Sequence, residues 1–235
     1  MGFQFKKFFI TDDNAAMKVG TDAVLLGSWV DMSDALSILD IGAGTGILSL
    51  MAAQRTDVSK AKITAVEIDN EACRDAHTNI ESSIWKDRIS LVQSDFSKLS
   101  GQWDLIISNP PFFSSLLKSP TEARARARHG GDLNYFSLIE FSARNLSNEG
   151  SLAFISDLSA PPSEIIYCAE MNRLKVRRIC SVMPRRDDET IRILWQMKRI
   201  DGIIERTRLP LRSLNNKDWS EEYSKLTNPF YLDVK

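Results

Sequence analysis

An α/β fold with a Rossmann-like, doubly wound and mostly parallel sheet is predicted by three features of this 235-residue sequence. Short apolar runs alternate with stretches that read as helices. The run Ser37–Ile41 opens straight onto Gly42-Ala43-Gly44-Thr45-Gly46 and then a helix, which is the start of a βαβ unit. Later runs each end in an acid or an amide, at Glu67, Asp95 and Asn109. In such sheets ligands bind beyond the strand carboxyl ends, so these residues converge on one crevice.

Taken in order, the aromatic-rich residues 3–10 suggest a short hairpin or strand on the domain surface. Gly20-Thr21-Asp22 leads into an apolar helix over 22–29, where Asp22 could serve simply as an N-cap. Strands are expected at 37–41, 62–66, 89–93, 103–108, 150–156, 174–183 and 190–197. Helices are expected at 47–54, 71–82, 135–146 and 162–172, the last opening on Pro-Pro-Ser-Glu. The tail from 200 onward has weak periodicity and is expected to lie over the surface. One domain spans 1–235, with an N-terminal extension over 1–35, a core over 36–200 and a tail over 201–235.

The stretch around which the chain is organised is Ser108-Asn109-Pro110-Pro111-Phe112. Two prolines fix φ and offer no N–H, leaving the Asn109 amide and the Pro110 carbonyl at the strand end. A rigid pair of acceptors beside the Phe112 ring suits a flat ring carrying an NH2 group. The competing structural reading is a Pro-rich turn. Glu67 is placed to accept from two ribose hydroxyls, or else is a solvated loop acid. Asp95 could accept from an adenine amine with Phe96 covering the ring, or could merely cap the next turn.

Composition narrows the classes. Three cysteines without a CxxC pattern and two histidines argue against a disulfide framework or a metal centre, and fit a reducing cytoplasm. No segment is long and apolar enough to span a membrane, and the first residues lack a signal peptide's apolar core. Net charge is −1, so nucleic-acid affinity must come from local patches. Candidate patches are Arg124, Arg126, Arg128 and His129 after the Asn-Pro-Pro-Phe motif, Lys175, Arg177 and Arg178 on a late strand, and Arg185-Arg186 on the following turn. A charge run is usually only a solvated face, and position after the Asn-Pro-Pro-Phe motif favours 124–129.

Glycine loop, second-strand acid, third-strand acid and Asn-Pro-Pro-Phe, in this order, resemble the class I S-adenosylmethionine-dependent methyltransferases. The last motif is similar to that of the amino-methylating branch, which modifies adenine N6, cytosine N4 or a glutamine side-chain nitrogen. The likeness covers roughly residues 1–200. With Met17-Lys18-Val19-Gly20-Thr21-Asp22 and the closing Leu226-Thr227-Asn228-Pro229-Phe230-Tyr231-Leu232, the motifs resemble the bacterial tRNA1(Val) (adenine-37-N6)-methyltransferase family.

That resemblance implies seven strands with the last antiparallel, S-adenosylmethionine as donor and S-adenosylhomocysteine as product, no metal, and a tRNA adenosine beside the anticodon as substrate. It implies no obligate protein partner. It places Lys18, Thr21 and Asp22 near the methionyl end of the donor, and Asp40, Gly42, Gly44, Gly46, Glu67, Ile68, Asp95, Phe96 and Asn109 around it. The Gly-x-Gly-x-Gly spacing departs from the Gly-x-Gly-x-x-Gly of many dinucleotide binders and favours S-adenosylmethionine over NAD.

Asn109 and Pro110 would accept both N–H bonds of the target amine, Pro111 would stiffen the bend, and Phe112 would stack on the extruded base. Rival readings are a protein-glutamine methyltransferase, an rRNA or DNA adenine methyltransferase, and a non-catalytic module that keeps the pocket for structure. Only about 35 residues precede the first core strand, too few for the separate helical domain that glutamine methyltransferases usually carry.

Overall fold

The computed structural model describes residues 2–15, 18–111, 133–215 and 218–232. A two-stranded hairpin, β1 (Gly2–Gln4) and β2 (Phe9–Thr11), precedes the main sheet. Then follow α1 (Thr21–Trp29), β3 (Ser37–Ile41), α2 (Ile47–Arg55), β4 (Lys62–Glu67), α3 (Asn70–Glu81), β5 (Ile89–Gln93) and β6 (Trp103–Ser108). The second half contains α4 (Tyr135–Asn145), β7 (Leu146–Ser156), α5 (Pro162–Met171), β8 (Lys175–Met183), β9 (Arg192–Lys198), β10 (Glu205–Pro210) and α6 (Glu221–Thr227).

The main sheet runs β10-β8-β9-β7-β6-β3-β4-β5. β9 is antiparallel to both of its neighbours, and every other pairing is parallel. The predicted doubly wound, mostly parallel sheet is therefore present, with one more strand than the resemblance implies. The extra strand is β10, which pairs in parallel with β8 over Glu205↔Arg178 to Pro210↔Met183. The tail from 200 was expected on the surface, and here it completes the sheet edge instead. Its first four residues are exposed, so β10 carries no apolar period.

Period-two alternation builds two cores from one sheet. Ile38, Ile63, Leu105, Ile107, Ala153 and Ile155 pack with α1, α2 and α3 on one face. Leu39, Ile41, Val66, Ile106, Leu152 and Phe154 pack with α4 and α5 on the other. Strands buried on both faces read as continuous apolar runs, which is why Ser37–Ile41 and Trp103–Ser108 were legible. The N-terminal hairpin is anchored more deeply than a surface ornament, since Phe5, Phe8 and Ile10 are buried. Phe5 stacks on Tyr231 at 5.8 Å, and the Lys6 amide donates to the Phe230 carbonyl at 2.8 Å. The closing Leu226–Leu232 motif thus ties the end of the chain to its beginning.

Strand order reverses beside β3: the chain moves outward through β4 and β5, then returns to β6 and β7 on the other side. The crevice at that switch point is where a doubly wound sheet takes its ligand. Among the described residues no helix is long and apolar enough to cross a membrane.

Candidate active site

Three glycines turn the chain from β3 into α2. Gly42, Gly44 and Gly46 all have positive φ, at 69°, 56° and 79°. At Gly44 the consequence is functional: a side chain there would meet nothing within 4 Å, so that side of the loop is open to a ligand. At Gly42 it is steric, because a Cβ would stand 2.7 Å from Leu133 Cδ2. The amides of Gly42 and Ala43 both donate to the Val66 carbonyl, at 2.9 and 3.0 Å, which seats the loop across the end of β4.

Glu67 ends β4 and braces the same loop. Its Oε2 accepts from the Gly44 amide at 2.8 Å, and its Oε1 accepts from Ile68 and Asp69 amides at 2.8 and 2.9 Å. It is thus a built part of the crevice wall and not a solvated loop acid. Ile68 beside it is 61% exposed, an apolar surface at the crevice mouth. Asp40 lies beneath the loop, fully buried. Ser49 Oγ donates to its Oδ2 at 2.7 Å, and its Oδ1 has no partner. Burial pushes the carboxyl up to about 7; the Glu67 charge adds to that, and Ser49 opposes it.

Asp95 caps a short 3-10 turn, Phe96–Lys98, accepting from the Ser97 amide at 2.8 Å. The capping alternative is therefore realised, which leaves its second oxygen as the acceptor available to a ligand. Phe96 is buried and meets Phe141 edge-on at 5.4 Å. Its ring packs in the core, a correction to its expected place over an adenine ring.

β6 delivers the Asn-Pro-Pro bend to the same edge. Ser108 Oγ donates to the Ile41 carbonyl at 2.8 Å, locking the end of β6 to the end of β3 beside the glycine loop. Asn109 follows, half-buried, with its Oδ1 shielded and without a hydrogen-bond partner among the described residues. Pro110 is buried and Pro111 exposed. A shielded acceptor with no donor carries an unmet desolvation cost of about 1–3 kcal/mol, which a ligand N–H would relieve. Phe112 and the basic run Arg124, Arg126, Arg128 and His129 lie outside the described residues.

The family scan matches the methyltransferase small domain model over residues 15–167. A tRNA1(Val) (adenine(37)-N6)-methyltransferase of Tolumonas auensis is 39% identical over 231 residues, covering 98% of this chain and 96% of the relative. One of Trichodesmium erythraeum, with the same name, is 38% identical over 98% of this chain and 97% of the relative.

The chain belongs to the tRNA1(Val) (adenine(37)-N6)-methyltransferase family.

Solved structures agree on the fold. A protein of Agrobacterium tumefaciens described as a predicted O-methyltransferase superposes with a TM-score of 0.66 at 22% identity, covering 89% of this chain and 96% of that one. A ribosomal protein L11 methylase of Lactobacillus delbrueckii gives 0.53 at 20% identity, over 76% and 77%.

For the remaining residues named from the family motifs, the structure gives the following places. Asp22 lies in the first turn of α1, but the N-cap is Gly20, so the simple capping role fails. Its carboxylate instead meets Arg192 Nε at 3.0 Å, joining α1 to the start of β9 at the crevice edge. Thr21 is exposed at the first position of α1. Lys18 folds back, its Nζ on the carbonyls of Asp12 and, at 3.5 Å, Asp13. Arg185 pairs with Asp188 through two bonds of 2.9 and 3.1 Å, and Arg186 pairs with Glu222. The carboxylates offset much of the charge expected there for RNA. Missed entirely were Ser49, Asp75 and Asn79. For the last two the signal lay in α3, where Asp75 and Asn79 interrupt the apolar face formed by Ala72, Ala76 and Ile80.

Proposed function

We propose that this chain transfers a methyl group from S-adenosylmethionine to N6 of adenosine 37 in tRNA1(Val). The observation that carries this reading is the shielded, partnerless Asn109 Oδ1 at the carboxyl edge of β6, next to the glycine loop.

The residues present fit the donor. The open side of Gly44 admits a ligand to the loop backbone, and the orphan Oδ1 of Asp40 lies below it. Glu67 would hold the ribose, Asp95 the adenine amine, and Ile68 would cover the ring. When bound, the donor supplies a sulfonium methyl, an electrophile that needs no activation by a metal. Lys18, Thr21 and Asp22, before and at the start of α1, would meet the methionyl end.

An exocyclic adenine amine is a weak nucleophile because its lone pair is delocalised into the ring. Asn109 Oδ1 and the Pro110 carbonyl would accept its two N–H bonds. That holds the nitrogen in line and offsets the positive charge that grows on it. Pro110 and Pro111 keep the acceptors from relaxing away. Phe112 would stack on the base, which an anticodon loop gives up at low cost. Arg124, Arg126, Arg128 and His129, following the bend, would grip phosphates, with Arg185 and Arg186 secondary. The whole of 1–235 would act as one catalytic unit in the cytoplasm.

The test is methyl transfer from labelled donor to unmodified tRNA by the wild-type chain and by Asn109→Ala. Loss of one transition-state hydrogen-bond acceptor should cost about 100-fold or more in turnover. A fully active variant would contradict the assignment.

A further inference from the structure

Two polar side chains of α3 are buried where the helix turns toward the core. Asp75 and Asn79 are four residues apart and share one face, at 1% and 2% exposure. Asp75 accepts three hydrogen bonds: from the Asn14 amide at 2.9 Å, the Asn14 side chain at 2.7 Å and the Ala15 amide at 2.7 Å. Burial alone would raise this carboxyl. The donors from Ala15 and Asn14, with Lys18 nearby, outweigh that and hold it below the usual carboxylate range.

Asn79 closes a two-point contact with Thr11, accepting from its amide and donating to its carbonyl, both at 2.8 Å. The same Nδ2 also donates to the Thr45 carbonyl at 2.9 Å. Thr45 lies inside the glycine loop, between Gly44 and Gly46. One buried amide therefore serves both the N-terminal arm and the loop. Asp12 carries the linkage onward, accepting from the Val19 amide at 3.3 Å and, through its carbonyl, from Lys18.

We infer that Asp75 and Asn79 are positioning residues that couple the arm, residues 11–15, to the glycine loop, so that a cofactor on the loop tightens the arm and a loosened arm weakens the cofactor. The inference rests on the reading that this loop holds S-adenosylmethionine. Coupling between two sites is reciprocal, so the effect is visible from either end. Both act at a distance from the cofactor: Asn79 through Thr45 and Thr11, and Asp75, on the same helix face, through Asn14 and Ala15.

The experiment uses the full chain with S-adenosylhomocysteine as probe, read by calorimetry and by amide hydrogen exchange. In the wild type, the probe should slow exchange at Thr11, Asn14 and Ala15. Asn79→Ala should weaken probe binding about tenfold, within the usual range of site coupling, and remove that protection. The KM for tRNA should stay within about twofold, a split that general destabilisation would not give. Asp75→Asn leaves the Asn79 to Thr45 bond in place and supplies a second test should Asn79→Ala fail to fold. It should speed exchange at Asn14 and Ala15 and weaken the probe by a smaller factor. Wild-type binding with unchanged affinity in a variant whose arm exchanges freely would overturn this inference alone. No binding by the wild type would overturn the functional reading and this inference with it.

Discussion

Replacing Asp40 by Asn should make the protein more stable, by a margin that grows from mild acid to alkaline pH. Asp40 is fully buried, one oxygen is satisfied by Ser49 and the other by nothing, and Glu67 adds a second negative charge nearby. Its carboxyl is pushed from 3.8 up to about 7. A raised folded-state value means that the folded chain holds the proton more tightly than the unfolded chain. The stability linked to that proton is fully present below about pH 4 and is lost as pH rises through about 7. A gap of about three units corresponds to at most roughly 4 kcal/mol. Asn carries no charge at any pH, and Ser49 can still donate to it. Its spare amide is as poorly satisfied as the spare oxygen of a protonated Asp40, so the two proteins should match below about pH 4, and at pH 5 the variant should already lead by roughly 1.5 kcal/mol.

By pH 8.5 the Asn variant should lead by up to about 4 kcal/mol, on the order of 10 °C in Tm for a chain of this size. Urea denaturation at half-unit steps between pH 5 and 8.5 measures it. Asp31, Asp75 and Asp104 have lowered values, so their linked stability is lost only as pH falls below the ordinary carboxylate range, outside this window. A difference between variant and wild type that did not change with pH would refute the argument.

Other consequences can be checked one by one. Glu67→Ala removes both the bracing of Gly44 and the expected ribose contact, so affinity for S-adenosylhomocysteine should fall about 10- to 100-fold by calorimetry. Gly42→Ala forces a side chain onto Leu133 at a φ of 69°, and thermal unfolding should show a loss of about 1–3 kcal/mol. Binding of tRNA should weaken steeply with salt, and neutralising Arg126 should flatten the slope of log affinity against log salt by about one unit. Neutralising Arg186, already paired with Glu222, should flatten it less.

Much of the sheet was readable because its strands are buried on both faces. Trp103–Ser108 is a run that is apolar at Trp103 and Leu105–Ile107, interrupted at Asp104 and stopped at Asn109 by two prolines, and the strand has those bounds. β10 was not readable because Glu205, Arg206, Thr207 and Arg208 face solvent at the sheet edge and pair on one side only. The first part of β7, Leu146 to Gly150, was likewise hidden by Ser147, Asn148 and Glu149.

That the glycine loop, Glu67 and Asn109 share one sheet edge was legible because each follows or ends a strand, and parallel strands put those ends on the same side. Phe96 was misplaced because an aromatic after a capping acid looks the same in sequence whether it covers a ligand or fills the core. Asp22 was half understood: its true partner, Arg192, is 170 residues away, and no local pattern announces it. Asp75 and Asn79 showed in sequence only as polar breaks in the apolar face of α3, and what they bind did not show, for a related reason. Apart from the Asn14 side chain, their partners are backbone groups at Thr11, Asn14, Ala15 and Thr45, which any residue type could supply.

The central claim is that the bend after β6 presents acceptors to the amine of one tRNA adenosine. Its most direct test incubates the wild-type chain with S-adenosylmethionine and an unmodified tRNA1(Val) transcript, then maps the product by nuclease digestion and mass spectrometry. The account predicts one added methyl, recovered as N6-methyladenosine from the fragment that contains position 37. Methyl found on another nucleoside, on protein glutamine, or nowhere would contradict it.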